Sequence, residues 1–179
     1  MEKDVWNPTK YATPKYGVNP FHHGLYSRAS GIDVVGILVK VATRKSPQID
    51  LGVIDLSCAL VICAADVDDE PVIYVSEGFE MLTGYKSQEI VGRNCRFLQR
   101  PPTPPSLSHV EGQGRGDGNT RKRLRLDVEE RRETQVQVLN YKKGGEAFVN
   151  ILSIVPIGEA QGGVKYLVGF MAEAKRWHS

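Results

Sequence analysis

The chain has 179 residues, 41% of them hydrophobic and 25% charged, and a formal net charge of +2 at pH 7. This length and composition are typical of one globular domain with an extension. The charge is too small to indicate a nucleic-acid or membrane-surface ligand. No apolar run approaches the roughly 20 residues of a membrane-spanning helix, and the first residues do not have the pattern of a secretory signal.

The sequence contains three cysteines, Cys58, Cys63 and Cys95. An odd number without a CxxC pair argues against a disulfide framework or a zinc site. We therefore expect an intracellular protein, in the cytoplasm or nucleus, with reduced thiols and no metal. Cys58 and Cys63 fall on opposite faces of a predicted strand, and one of them is expected to be exposed enough to oxidise or to cross-link a dimer.

Residues 1–56 are predicted to form an N-terminal cap made of an arm, a helix and a hinge. The arm, residues 1–29, is rich in proline, glycine and aromatic residues. Either it packs on the domain or on a second copy, or it is a disordered tail. A helix is predicted over 33–44, because the apolar residues of this segment recur at i, i+3, i+4 and i+7.

The run from Ser57 to Ala64 is almost continuously apolar, which predicts a strand buried on both faces. A returning strand at 71–75 and short helices at 77–82 and 87–92 follow. Next comes the stretch 92–99, Gly-Arg-Asn-Cys-Arg-Phe-Leu-Gln. If it is an α-helix, Cys95 and Gln99 share a face with Leu98 beside them. The alternative is a surface helical turn with one small buried cysteine.

A loop rich in proline and glycine is predicted at 100–118, long enough to be functional or disordered. A helix is predicted over 119–132 and strands over 134–141, 147–157 and 164–172, with a tail at 175–179. We expect five basic residues of the helical segment to lie on a solvated face, namely Arg121, Lys122, Arg123, Arg131 and Arg132.

Two asparagines interrupt the apolar faces of the late strands. Strand alternation places Asn140 with valines and Asn150 with Phe148 and Leu152 on inward faces. An unpaired buried amide costs about 1–3 kcal/mol. Two such amides, together with Gln99 and Cys95, favour a shared ligand whose ring edge alternates donors and acceptors, as the pyrimidine edge of a flavin does. The alternative is that each asparagine bonds to neighbouring backbone.

These elements predict an α+β architecture, a small antiparallel sheet with short helices over one face. A ligand would lie between the sheet and the helices, with Cys95 on one side and the asparagine pair on the other.

The stretch 92–99 resembles the flavin-binding motif of LOV domains, the blue-light-sensing branch of the PAS domains. The resemblance covers residues 57–170 and includes 140–144 and 148–150. Residues 31–36 and 50–58 resemble the fungal subgroup of White Collar, Vivid and Envoy photoreceptors. Because this chain is compact and has an N-terminal cap, it is most similar to Vivid and Envoy. The resemblance implies a PAS/LOV fold with a five-stranded antiparallel sheet, an N-terminal cap at 1–56, a core at 57–174 and an insertion at about 100–118.

The resemblance also implies a mechanism. Blue light excites a bound flavin, the Cys95 sulfur bonds reversibly to flavin C4a while N5 is protonated, and the bond breaks in the dark. By the same resemblance, Asn94 and Gln99 contact the flavin, and Asn140 and Asn150 hold its pyrimidine edge. Arg96 and Arg125 are expected to hold phosphate, for which the guanidinium is suited.

In fungal members the insertion makes room for the adenine side of FAD. FAD is therefore the expected cofactor, with FMN as the alternative, and Arg115 is expected to pair with the second phosphate.

Where the family carries a glutamine after Gly-Phe, this chain has Met171. Methionine has no N–H and accepts only weakly, so the signal is expected to leave through Asn140, Asn150 or the Cys58 hinge.

The resemblance implies that illumination rearranges the cap and drives homodimerisation. It also implies that the partner is a White Collar-type transcription complex and that the protein tunes light-responsive transcription. No membrane or direct nucleic-acid partner is expected.

Two alternatives to a photoreceptor remain. An enzyme with Cys95 as nucleophile would need a nearby base, and the four histidines lie in the arm, loop and tail, so we expect no enzyme. The second is a light-insensitive PAS interaction module, which Met171 favours.

Overall fold

The structure, a computed structural model, describes residues 26–27, 31–55, 57–102, 118–158 and 162–174. The aromatic arm, apart from the backbone of 26–27, lies outside the described residues, as do most of the predicted insertion and the tail at 175–179. In the described part, a two-stranded ladder pairs β1 with β2, and a five-stranded antiparallel sheet has the order β4-β3-β7-β6-β5. The strands are β1 Tyr26–Ser27, β2 Ile32–Asp33, β3 Ala59–Ala64, β4 Val72–Val75, β5 Thr134–Tyr141, β6 Ala147–Gly158 and β7 Val164–Glu173.

Helices accompany both faces of this sheet. They are α1 Val34–Ala42, α2 Glu77–Thr83, α3 Ser87–Ile90 and α4 Gly118–Glu129, with a 3₁₀ helix at Cys95–Gln99. The predicted α+β architecture with a five-stranded antiparallel sheet is confirmed. Most predicted boundaries agree closely with these, the largest difference being the C-terminal end of α4, predicted at 132 and found at Glu129.

The sheet separates two apolar clusters because side chains alternate along its strands. On β3, Leu60 and Ile62 belong to the outer cluster, while Val61 and Cys63 belong to the inner one. The outer cluster also contains the buried stripe of α1, formed by Val34, Ile37 and Val41. The cap helix therefore covers the outer face, and the inner face packs against α2, α3, α4 and the 3₁₀ helix.

The cap is fastened to the core by one carboxylate. Glu133, just before β5, accepts a hydrogen bond from Arg44 Nε at 2.7 Å and from the backbone N–H groups of Gln48 and Ile49 at 2.9 and 3.2 Å. Both side chains of this ion pair are largely buried, with exposed fractions of 14% and 13%. Burial by itself raises the pKa of Glu133, but the hydrogen bonds from Arg44, Gln48 and Ile49 outweigh it and leave the pKa lowered.

Helix α2 is held at both ends by specific residues. At its start the Ser76 hydroxyl accepts from Phe79 N and Leu60 N, and donates to Cys58 O at 2.7 Å. One side chain thus caps the helix and joins it to β3. At the other end Gly84 has φ of 77°, a left-handed conformation that glycine adopts without strain.

Candidate functional site

A cavity of about 690 Å³ lies between the inner face of the sheet and the helices. Its walls come from β3, β5, β6, β7, the 3₁₀ helix and α4. Eight of the nine predicted site residues line it: Asn94, Cys95, Arg96, Gln99, Arg125, Asn140, Asn150 and Met171. Arg115 lies outside the described residues.

The wall that carries Cys95 is a 3₁₀ helix and not the α-helix on which the shared face of Cys95 and Gln99 depended. In a 3₁₀ helix, residues three apart eclipse each other. Cys95 is therefore aligned with the buried Leu98 rather than with Gln99. All three residues still line the cavity, and Cys95 is half-buried there.

Asn94 caps this 3₁₀ helix. Its Oδ1 accepts from Arg96 N at 2.8 Å, and its Nδ2 donates to Asp69 O at 2.5 Å. The protein thus uses one donor and one acceptor of the Asn94 amide, which positions the turn that carries Cys95.

Opposite Cys95, the two asparagines form a buried pair. Asn150 Nδ2 donates to Asn140 Oδ1 at 2.8 Å, and Asn140 Nδ2 donates to Leu139 O at 3.1 Å. Asn150 is 0% exposed, and its Oδ1 has no hydrogen-bond partner among the described residues. The pair is thus partly satisfied by the protein, and one buried acceptor remains available to a donor in the cavity.

The two arginines predicted to hold phosphate lie at the cavity mouth in ion pairs. Arg96 pairs with Asp69 and is 59% exposed, and Arg125 pairs with Glu129 at 2.7 Å and is 80% exposed. The hydrogen bond and charge of Glu129 raise the pKa of Arg125. Both guanidinium groups are exposed to an anion that approaches the mouth.

Arg121 lies deeper, and its prediction as a residue on a solvated helix face was wrong. It is half-buried and lines the cavity, and its Nη2 donates to Gln99 O at 3.3 Å. Its Nε is buried without a hydrogen-bond partner in the described part of the chain. A buried cation with an unused donor is a strong anion-binding group.

Arg131 also departs from the predicted solvated face. It is half-buried, donates to Ala65 O at 2.7 Å and to Val128 O at 3.2 Å, and pairs with Glu70 at 2.7 Å. These contacts join the end of α4 to the turn after β3. This arginine is therefore part of the scaffold of the cavity.

A second thiol faces the cavity. Cys63 is buried on β3, and its Sγ lies 4.0 Å from Cys95 Sγ. The contact with the Cys95 thiol, together with burial, raises the pKa of Cys63 well above its usual range. Cys58 packs against the outer cluster instead, in keeping with the predicted opposite faces. For Cys63, the expectation of an exposed thiol does not hold.

The sequence and the fold of this chain are similar to those of known proteins. The PAS domain model matches residues 57–173. The solved structure of a fungal LOV domain photoreceptor shares 41% identity at a TM-score of 0.72, covering 86% of this chain and 99% of that one. The chain belongs to the LOV branch of the PAS family. The light-state dimer of the fungal blue-light photoreceptor Vivid is 40% identical, with a TM-score of 0.72, over 84% of this chain and 100% of that one.

Two curated relatives of this LOV domain are much longer. The blue light receptor lreA of Aspergillus flavus is 41% identical over 93% of this chain and 20% of its own length. The White collar 1 protein of Neurospora crassa is 39% identical over 90% of this chain and 14% of its own length. The chain thus spans a fifth or less of these relatives. Among the described residues, no helix is long and apolar enough to cross a bilayer, and no group of three metal-ligating side chains occurs.

LOV domains bind a flavin chromophore, and the residues of this cavity fit such a group. The free Oδ1 of Asn150 matches a ring N–H, and the free Nε of Arg121 matches a phosphate oxygen. Between them the apolar side chains of Val61, Leu98 and Leu152 offer surfaces for a flat ring system. Gly169 shapes the same wall, since a Cβ there would lie 2.8 Å from Val61 Cγ1.

Proposed function

We propose that this LOV domain is a blue-light receptor that binds a flavin in the cavity and bonds to it reversibly through Cys95. The observation that carries the proposal is the convergence of three features on one cavity. These are the half-buried Cys95 thiol, the free Oδ1 of the buried Asn150, and the free Nε of Arg121. The first is a nucleophile, and the other two match the two polar ends of a flavin nucleotide.

A bound flavin supplies the absorption of blue light and a carbon that accepts a thiol; the protein supplies position. Cys95 presents its sulfur from the 3₁₀ helix, and Asn94 fixes the start of that helix. Asn150 and Asn140 orient the pyrimidine edge, and Gln99 lies beside it. Because the thiol and the amides stand on opposite walls, they hold the ring and the sulfur in a fixed relation.

FAD is the proposed cofactor, with FMN as the alternative. Arg96 and Arg125 at the mouth, together with the deeper Arg121, offer more cationic groups along the cavity than a single phosphate needs. The segment 100–118, where Arg115 lies, is proposed to accommodate the adenine side.

The proposed output is a change in the cap and in dimerisation that tunes light-responsive transcription. Vivid has a light-state dimer, and we propose that this protein likewise forms a homodimer in the light. White collar 1 is a relative of this chain, and we propose a White Collar-type transcription complex as the partner. Support comes from α1, which shares the outer apolar cluster with β6, the strand of Asn150. The Arg44–Glu133 ion pair and the packing of α1 in the outer cluster are contacts that would have to yield if the cap moves.

The visible spectrum before and after blue light tests this function. We expect a yellow protein that bleaches on illumination and recovers in the dark. Cys95→Ala should keep the colour, because it leaves the amides and arginines in place, and should lose the bleaching. A protein that stays colourless after reconstitution with FAD would refute the proposal.

The second candidate, a PAS interaction module that does not respond to light, rests on Met171. This residue is buried on β7 and lines the cavity, so a thioether stands there without an N–H donor. A yellow protein that bleaches while its oligomeric state stays the same in light and dark would support photochemistry without this output. A yellow protein that does not bleach would favour the module outright.

A further inference from the structure

The cavity contains a pair of thiols, whereas the proposed photochemistry uses only one. Cys63 and Cys95 are 32 positions apart in the sequence, yet their sulfurs lie 4.0 Å apart. Cys63 is 8% exposed on β3, and Cys95 is half-buried on the 3₁₀ helix. Both line the same cavity. Cys58, the third cysteine, packs in the cluster on the other face of the sheet.

The backbone around each thiol favours this approach. The pairing of β3 with β4 shifts register between Ile62 and Cys63, but the unpaired residue lies on β4, and β3 keeps a continuous register with β7. The regular alternation of β3 therefore turns Cys63 to the cavity face. Cys95 begins its 3₁₀ helix directly after the Asn94 cap. To form a bond, the sulfurs must approach from 4.0 Å to the disulfide length of about 2.0 Å.

We propose that Cys63 and Cys95 are a modification site for hydroperoxides, which convert the pair into a reversible intramolecular disulfide. Cys95 is oxidised first, because it is the more exposed thiol and borders the open mouth of the cavity. Its sulfur attacks the terminal peroxide oxygen and the O–O bond breaks, which gives a sulfenic acid and releases water from hydrogen peroxide or an alcohol from an organic hydroperoxide. The Cys63 sulfur then displaces hydroxide from the sulfenic acid, and the proton of its thiol converts that hydroxide to water. Two thiols have lost two electrons, and one hydroperoxide has been reduced.

Formation of the disulfide would affect the proposed light reaction. Its role in the cell therefore rests on the proposed function. When the Cys95 sulfur is bonded to Cys63, it is no longer a thiol and cannot bond to a flavin. The contact with Cys95 and the burial of Cys63 raise the pKa of Cys63, which makes it the less reactive of the two thiols toward peroxide. The pair would thus withdraw the photoactive thiol under peroxide, and a dithiol reductant would restore it.

The test uses the full chain as purified, kept in the dark and treated with hydrogen peroxide. Free thiols are then alkylated, and the protein is digested without reduction and analysed by mass spectrometry. We expect one cross-linked peptide pair joining Cys63 to Cys95, with Cys58 alkylated. In the same sample the light-induced bleaching should fall in proportion to the cross-link, and dithiothreitol should restore both.

Two variants separate this site from other oxidation chemistry. Cys58→Ser should still give the Cys63–Cys95 cross-link. In Cys63→Ser no resolving thiol is present, so peroxide should carry Cys95 on to the sulfinic acid, which dithiothreitol does not reverse. The proposal is overturned if the treated protein keeps both thiols alkylatable, if the cross-link involves Cys58, or if Cys95 becomes sulfinic while Cys63 stays free. Mapping the Cys63–Cys95 cross-link by mass spectrometry needs no light. Untreated protein that never bleaches would therefore refute the photoreceptor function, but the cross-link result could still be interpreted.

Discussion

Replacing Asn150 by leucine, a side chain of similar size, tests the proposed ligand edge of the cavity. Asn150 is 0% exposed, gives one hydrogen bond to Asn140 Oδ1 at 2.8 Å, and has an Oδ1 without a partner among the described residues. In the flavin-free protein the leucine removes that unpaired acceptor, which is favourable. It also removes the donor to Asn140, which is unfavourable.

Each of these two changes is worth about 1–3 kcal/mol, with opposite signs. The free energy of unfolding of the flavin-free protein should therefore change little. In the complex, the leucine removes the hydrogen bond to the flavin ring and leaves a ring N–H unpaired. That loss of about 1–3 kcal/mol corresponds to about a 5- to 150-fold higher Kd for the flavin.

The assay has two parts. Quenching of flavin fluorescence gives the Kd for FAD with flavin-free protein, and urea unfolding gives the stability with and without flavin. Gln137→Leu is the matched control, because Gln137 lies on the exposed face of β5 and should leave the Kd unchanged. If Asn150→Leu destabilises the flavin-free protein by several kcal/mol and leaves the Kd unchanged, the pair is a scaffold element and the reasoning is refuted.

Three further predictions concern other contacts. Arg121→Gln should weaken FAD binding by about tenfold or more, the loss expected for a hydrogen bond to a charged group, and should spare riboflavin, which has no phosphate; Arg123→Gln, which lies away from the cavity, is the control. Glu133→Gln should lower the urea midpoint at pH 7. Because the folded-state pKa of Glu133 is lowered, its contribution is complete above its unfolded pKa of about 4.3 and is lost as the pH falls through the lowered value; the difference from wild type should therefore shrink toward pH 3. Met171→Gln restores an N–H donor and should increase the light-dependent change in size measured by light scattering; an unchanged response would show that Met171 does not limit the output.

The asparagine pair was predictable from the sequence for a simple physical reason. Side chains alternate with period two along a strand, and β5 and β6 are neighbours joined by a short turn. Placing Asn140 and Asn150 on inward faces therefore required only the strand assignment. The pairing register adds that Asn150 lies opposite Val138 and Asn140 opposite Phe148, so the two amides are diagonal neighbours.

Arg121 and the Cys63–Cys95 contact could not be predicted in the same way. The rotation of α4 about its axis is set by the burial of Leu124 against β5, and the helix has little apolar periodicity to indicate it. The 4.0 Å approach of Cys63 to Cys95 depends on how the 3₁₀ helix packs over β3. Sequence spacing contains no information on that tertiary distance. The 3₁₀ geometry itself was missed because the motif satisfies the spacing of either helix type.

Strand β6 shows how chemistry in the cavity and movement of the cap can be linked. Its inner face carries Asn150, Leu152 and Ile154 along the cavity. Its outer face carries Val155 and Ile157, which belong to the same cluster as the buried stripe of α1. The cofactor edge and the cap helix are therefore separated by the thickness of one sheet. In the proposed receptor, a change in the hydrogen bonding of Asn150 would need to move only one strand to reach α1, a route through β6 that does not require a hydrogen-bonding side chain at Met171.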